Sequence, residues 1–144
     1  SLVGSEMCIR DRNYIVRRIK MKKTEFKRQL KELISQEIEG LSWDEKLAYI
    51  RQILVEVDKE YNQYNQSNKG KPWSDDELRL VLSTAPTKEN IMMLAKAFCR
   101  GYGSIEQIFR WVAEDQKIIN EKRPDDKFIK QIKRIAKEIG WRAT

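Results

Sequence analysis

The sequence has no histidine, and its 144 residues include only two cysteines, three prolines and six glycines. Without histidine the commonest general base is missing, together with the Ser-His and Cys-His nucleophile pairs and most zinc sites. Cys8 and Cys99 are far apart and match neither a metal-binding motif nor a disulfide framework. No apolar run approaches the ~18 residues that span a bilayer. We therefore expect a reduced, cytoplasmic protein that is not an enzyme, uses no cofactor or metal, and does not contact a membrane.

What the sequence does contain is charge, and the charge is unevenly placed. The net charge is +7, and 35% of the residues are charged against 40% that are hydrophobic. From Lys127 to the end of the chain there are six basic side chains and one acid, Glu138. This composition favours an all-α fold, and the basic C-terminal segment suits a polyanionic partner.

The beginning of the chain is unlike the rest. Residues 1–12 show neither an amphipathic period nor the architecture of a signal peptide, and they resemble a translated sequencing adapter. Met21 is a good candidate for the genuine start, because a helical pattern follows it directly. We expect residues 1–20 to be a non-native leader or a disordered basic tail.

Residues 21–65 carry two helical patterns. In the first, the apolar residues are Phe26, Leu30, Leu33, Ile34 and Ile38, and Gly40 stands at the expected end. In the second, Ser42 and Glu45 form a capping box, and an apolar stripe follows with heptad-like spacing: Leu47, Ile50, Leu54, Val57, Tyr61 and Tyr64. Two interpretations stay open, an intramolecular helical hairpin and a short coiled coil that makes a homodimer through Leu47, Ile50, Leu54, Val57 and Tyr61.

A linker and three short helices follow. Asparagine, glutamine, serine and glycine dominate residues 62–70, which places a linker at residues 66–72 before a domain at 73–144. Ser74 with Glu77 predicts a capping box on the first helix, and Thr87 is the expected cap of the second. The glycines of residues 100–103 predict a tight turn, after which Ser104 with Gln107 would cap the third.

Three large apolar side chains, Trp73, Ile91 and Phe109, are each eighteen residues from the next. Three helices of about ten residues bury little surface, so we expect these side chains to meet in one small core. The pattern resembles the Myb/SANT (homeodomain-like) helix-turn-helix repeat over residues 71–117. The opening Trp73–Leu78, the second helix Ile91–Ala95, the turn Arg100–Ile105 and the third large residue Phe109 carry this resemblance.

The resemblance implies that the third helix enters the DNA major groove. Its outward residues Glu106, Gln107 and Arg110 would then contact base edges, since their side chains can pair with cytosine, adenine and guanine. Phosphate contacts would come from residues around the turn: Lys96, Arg100, Tyr102 and Ser104.

A further amphipathic helix is expected between Pro124 and Gly140. Its apolar stripe is Phe128, Ile132, Ile135 and Ile139. Its other faces carry basic residues that could follow a DNA backbone or could simply face solvent: Lys127, Lys130, Lys133, Arg134 and Lys137.

These features predict a small protein that binds double-stranded DNA, a transcription regulator or accessory factor of bacterial or phage type associated with the nucleoid. The alternative is a SANT-like protein-interaction module without nucleic-acid contact. Glu106 favours that alternative, because an acidic side chain near phosphate would lower the affinity for DNA.

Overall fold

A computed structural model describes residues 20–143, and the predicted leader lies outside the described residues except for Lys20. The described chain is all-α, as the sequence predicts. Its seven helices are α1 (Lys23–Ile34), α2 (Trp43–Tyr61), α3 (Asp75–Leu82), α4 (Lys88–Ala97), α5 (Tyr102–Ala113), α6 (Gln116–Lys122) and α7 (Lys127–Ile139). Between residues 20 and 143 no helix combines the length and the apolarity that crossing a membrane requires. The described part of the chain divides into two compact units, residues 20–50 and 51–143.

Helix α1, in the first unit, buries none of its residues. It ends at Ile34 rather than near Ile38, because the Ser35 hydroxyl donates to the Glu32 carbonyl (2.8 Å) and competes with further helical bonding. Gly40 has a positive φ in a later turn, so its prediction as the end of α1 is wrong. The capping box of α2 is confirmed, since the Glu45 N–H donates to the Ser42 hydroxyl (3.2 Å).

The core of the second unit is built from four helices rather than three. Helix α7 packs against both α3 and α5, and α4 packs against α5. The largest fully buried side chains come in pairs from three helices: Leu78 and Val81, Ile105 and Ile108, Ile132 and Ile135. The C-terminal helix is therefore an integral part of the fold. The short helix α6, capped by Asp115, is an element that the sequence analysis missed.

The predicted meeting of Trp73, Ile91 and Phe109 is only partly correct. Ile91 is buried, but Trp73 and Phe109 are half-buried at the edge of the core. The isoleucines of α7 fill the centre that the two aromatic side chains were expected to occupy. Trp73 instead packs edge-on against Phe98, with 5.8 Å between ring centroids.

The caps of α3 and α4 are as predicted, whereas that of α5 is not. Ser74 and Glu77 form a complete capping box, and the Thr87 hydroxyl accepts from the Asn90 N–H. Helix α5 begins at Tyr102, so Ser104 lies inside the helix and cannot cap it. The tight turn depends on Cys99, whose φ of 54° lies in the left-handed region, and not on a glycine.

The predicted linker lies against this turn. The Asn68 N–H donates to the Cys99 carbonyl (3.0 Å), and the Asn68 side-chain amide donates to the Phe98 carbonyl (2.9 Å). Asn68 thereby satisfies carbonyls that the end of α4 leaves unbonded. We call residues 62–72 the strap, because they hold the turn between α4 and α5 instead of hanging free.

Candidate nucleic-acid interface

The outward face of α5 is set by its buried face. Tyr102, Ile105, Ile108 and Val112 point into the core at helical spacing. Gln107 and Arg110 are consequently exposed, while Glu106 is half-buried. Of the three predicted base contacts, Gln107 and Arg110 thus have the exposed side chains that such a contact requires, whereas the side chain of Glu106 is only partly accessible.

Arg100 is not a surface residue, and its prediction as a phosphate contact is wrong. Only 4% of its surface is exposed. Its Nη1 and Nη2 donate to the carbonyls of Lys71 (2.7 Å) and Pro72 (3.0 Å), and its guanidinium carbon lies 3.9 Å from the ring centroid of Trp73. Arg100 clamps the strap onto the turn, because its forked donors match two neighbouring carbonyls.

Two other predicted phosphate contacts near the turn already interact with side chains of α2. Tyr102 is buried, and the Lys59 ammonium lies 3.5 Å from its ring centroid, so it is wrongly predicted as a phosphate contact. Burial raises the pKa of Tyr102, and the charge of Glu106 raises it further. Lys96 forms an ion pair with Asp58 of α2 and lowers the pKa of that carboxyl. Ser104 is half-buried and lines a groove at the surface.

The predicted basic residues of α7 do not all face solvent, because two of them bond to groups outside the helix. The Lys133 ammonium donates to the carbonyls of Val112 (3.0 Å) and Glu114 (2.7 Å), so it caps the C-terminus of α5 and is wrongly predicted to follow phosphates. Arg134 pairs with Asp75 (2.8 Å) and lowers its pKa.

The remaining basic residues of α7 are open to solvent. Lys130 pairs with Asp125 (2.9 Å), and both side chains are exposed. Lys127 and Lys137 are exposed and make no ion pair within residues 20–143, and the same holds for Arg110 and Arg123.

A groove of about 540 Å³ runs between α5 and the start of α7, and we call it the α5–α7 groove. Its walls include Ser104, Gln107 and Trp111 of α5 and Phe128 of α7. Its basic lining residues are Lys71, Arg100, Arg123 and Lys127. Its acid is Asp126, whose carboxylate already accepts from the Ile129 N–H (3.0 Å) as the cap of α7.

A second groove of about 340 Å³, the α6–α7 groove, shares Arg123 and Asp126 with the first. Five basic side chains line it: Arg123, Lys130, Lys133, Arg134 and Lys137. Together the two grooves contain eight basic and two acidic side chains. They form one basic surface that reaches α5 at Gln107.

The sequence patterns do not indicate Lys71, Arg123 or Trp111 as parts of this surface. No local pattern marks them, because the strap brings in Lys71 and the unpredicted α6 leads to Arg123. Within the described residues, no group of three His, Cys, Asp or Glu side chains could hold a metal ion.

Comparison with known proteins supports a shared domain over the region just described. The family model described as "Uncharacterised protein PM1205 C-terminal domain" matches residues 67–143, which include helices α3 to α7. The "Uncharacterized protein PM1205" of Pasteurella multocida (strain Pm70) is 44% identical over 124 residues, covering 85% of this chain and 99% of that protein. No solved structure matches. The chain therefore belongs to the PM1205 family, and its residues 67–143 form the family's C-terminal domain.

Proposed function

We propose that this protein binds double-stranded DNA by placing α5 in the major groove, as a small regulator or accessory factor of bacterial or phage type. The observation that carries the proposal is the position of Gln107. It is exposed on the outward face of α5 and also lies in the wall of the basic α5–α7 groove. A helix that reads bases beside a surface that holds phosphates is the arrangement that helix-turn-helix proteins use.

Helices α3, α4 and α5 would correspond to the three helices of a Myb/SANT-like repeat, with α7 as a fourth. In this proposal Arg110 pairs with guanine O6 and N7, and Gln107 pairs with adenine N6 and N7. Glu106 is left with a minor role, because it is half-buried near Tyr102. The proposed phosphate contacts are Ser104, Arg123, Lys127, Lys130 and Lys137.

Two alanine variants separate base recognition from phosphate binding. Arg110→Ala should weaken binding to a selected duplex by about 1–3 kcal/mol and change binding to random duplex much less. Lys137→Ala should weaken both duplexes alike and reduce the salt dependence by about one charge. Fluorescence anisotropy of the full chain measures both effects, with exposed Lys88→Ala of α4 as control. If both variants bind like the parent, α5 is not the reading helix.

We also propose that α2 joins two copies of the chain. The C-terminal part of its apolar stripe is uncovered, since Leu54 is 62% exposed and Val57 and Tyr61 are also exposed, whereas Leu47 and Ile50 are half-buried. A homodimer along this stripe would remove apolar surface from water and would suit a two-part DNA site.

Sedimentation of the full chain tests the dimer. The parent should sediment as a dimer, and the double variant Leu54→Glu with Val57→Glu as a monomer. Gln52→Glu, at an exposed position of the same helix, should leave the dimer intact. A parent that is monomeric at high concentration would end this proposal.

The second candidate function is a SANT-like protein-interaction module without nucleic-acid contact. The uncovered apolar face of α1, with Phe26, Leu30 and Leu33 exposed, favours it, because such faces mark surfaces for other proteins. Failure of the full chain to bind any duplex at low salt would favour this candidate over DNA binding.

A further inference from the structure

We infer that the α5–α7 groove binds one unpaired nucleotide, with the base against its aromatic side chains and the phosphate on Arg123 and Lys127. The inference rests on the proposed function, since it assigns a ligand to part of the same surface. It goes beyond that function because duplex reading by α5 needs no such pocket.

The first support is the shape and lining of the groove. Its volume of about 540 Å³ falls within the range of ligand sites, and three aromatic rings line it. Trp73 already stacks under the Arg100 guanidinium and packs against Phe98. Trp111 and Phe128 pack against the core but are only half-buried, and they make no such stack within the described residues, so their exposed parts are left for a base.

The second support is the charge. Lys127 occupies the first turn of α7, where a cation opposes the helix dipole, so it does not serve the stability of the helix. Arg100 adds positive charge that is incompletely neutralised. Its carboxylate neighbour Glu77 lies 3.7 Å away, and its Nε has no hydrogen-bond partner among the described residues. An anionic group in the groove would be attracted by these cations and by Arg123.

The aromatic rings and the cations of the groove together favour a nucleotide over simpler ligands. Phosphate alone would leave the aromatic side chains unused, and an apolar ligand would leave the cations unused. The amide of Gln107 and the hydroxyl of Ser104 add donors and acceptors for a base edge. The base must be unpaired, because a paired base keeps both ring faces inside the stack and cannot lie on Trp111 or Phe128.

Binding of oligothymidylate of about four nucleotides to the full chain, followed by tryptophan fluorescence, tests the inference. The oligomer should quench fluorescence, with thymidine and inorganic phosphate each binding at least about tenfold more weakly. Thymidine monophosphate in a further arm separates the two sources of a nucleotide. Equal affinities for thymidine monophosphate and the oligomer would indicate that the ligand is a free nucleotide. Tighter binding of the oligomer would indicate a single strand.

Charge-reversed variants locate the site. Arg123→Glu with Lys127→Glu should lower oligomer affinity about tenfold or more, since both cations contact the phosphate. Lys117→Glu with Lys122→Glu makes the same change of charge at exposed positions outside the groove and should change affinity much less. The groove pair should fold, because both positions are exposed and an acid suits the first turn of α7. Trp111→Leu, with folding checked by circular dichroism, should weaken the oligomer and leave phosphate binding unchanged.

Equal effects of the two charge-reversed pairs, or no oligomer binding at low salt, would overturn the inference. Duplex binding is measured in parallel. If the parent binds duplex but not oligothymidylate, the groove inference fails alone. If it binds oligothymidylate but not duplex, the proposed function fails and the groove remains a nucleotide site.

Discussion

Ile135→Ala is expected to lower the free energy of unfolding by about 3–4 kcal/mol, a large part of the roughly 5–15 kcal/mol that stabilises a typical domain. Ile135 is fully buried in the core where α7 meets α3 and α5. Removing its side chain takes apolar atoms out of the core and leaves a cavity between helices that cannot fully collapse.

Urea unfolding followed by circular dichroism measures this loss. Lys137→Ala, at an exposed position of the same helix, is the control and should change stability by less than about 0.5 kcal/mol. A three-helix repeat with α7 as an appendage would tolerate Ile135→Ala almost as well as the control. That result would contradict the four-helix core.

Arg100→Ala is expected to lower the free energy of unfolding by about 3 kcal/mol, because it leaves two carbonyls without their charged donor and uncovers the Trp73 ring. Arg100→Lys should recover only part of this loss, since an ammonium cannot reproduce the planar fork.

The matched control is Arg134→Ala. Arg134 also pairs with an acid, Asp75, but more than half of its side chain is exposed, so its loss should cost about 1 kcal/mol or less. Thermal unfolding of the three variants ranks them. Equal losses for Arg100→Ala and Arg134→Ala would show that the buried guanidinium does not hold the strap.

The features that the sequence predicts correctly are those governed by local interactions. The capping residues Ser42, Ser74 and Thr87 bond within three positions of themselves, so their short motifs suffice to place three helix starts. The outward position of Gln107 and Arg110 likewise follows from the period of α5 alone.

The wrong predictions have a different cause: the side chains concerned bond to groups that are distant in the sequence. Nothing next to Lys133 indicates that its ammonium caps α5 some twenty residues away, and Arg100 reaches carbonyls nearly thirty residues earlier. A basic residue on a helix face can serve solvent, phosphate or a carbonyl, and only the packing of α7 and the strap decides between them.

The most direct test of the central claim is the salt dependence of duplex binding by the full chain. Four exposed cations of the proposed surface are assigned to phosphates: Arg123, Lys127, Lys130 and Lys137. If each neutralises one phosphate, the logarithm of affinity should fall against the logarithm of salt concentration with a slope of about −3.6. Absence of binding at low salt, or an affinity that salt does not change, would contradict the claim.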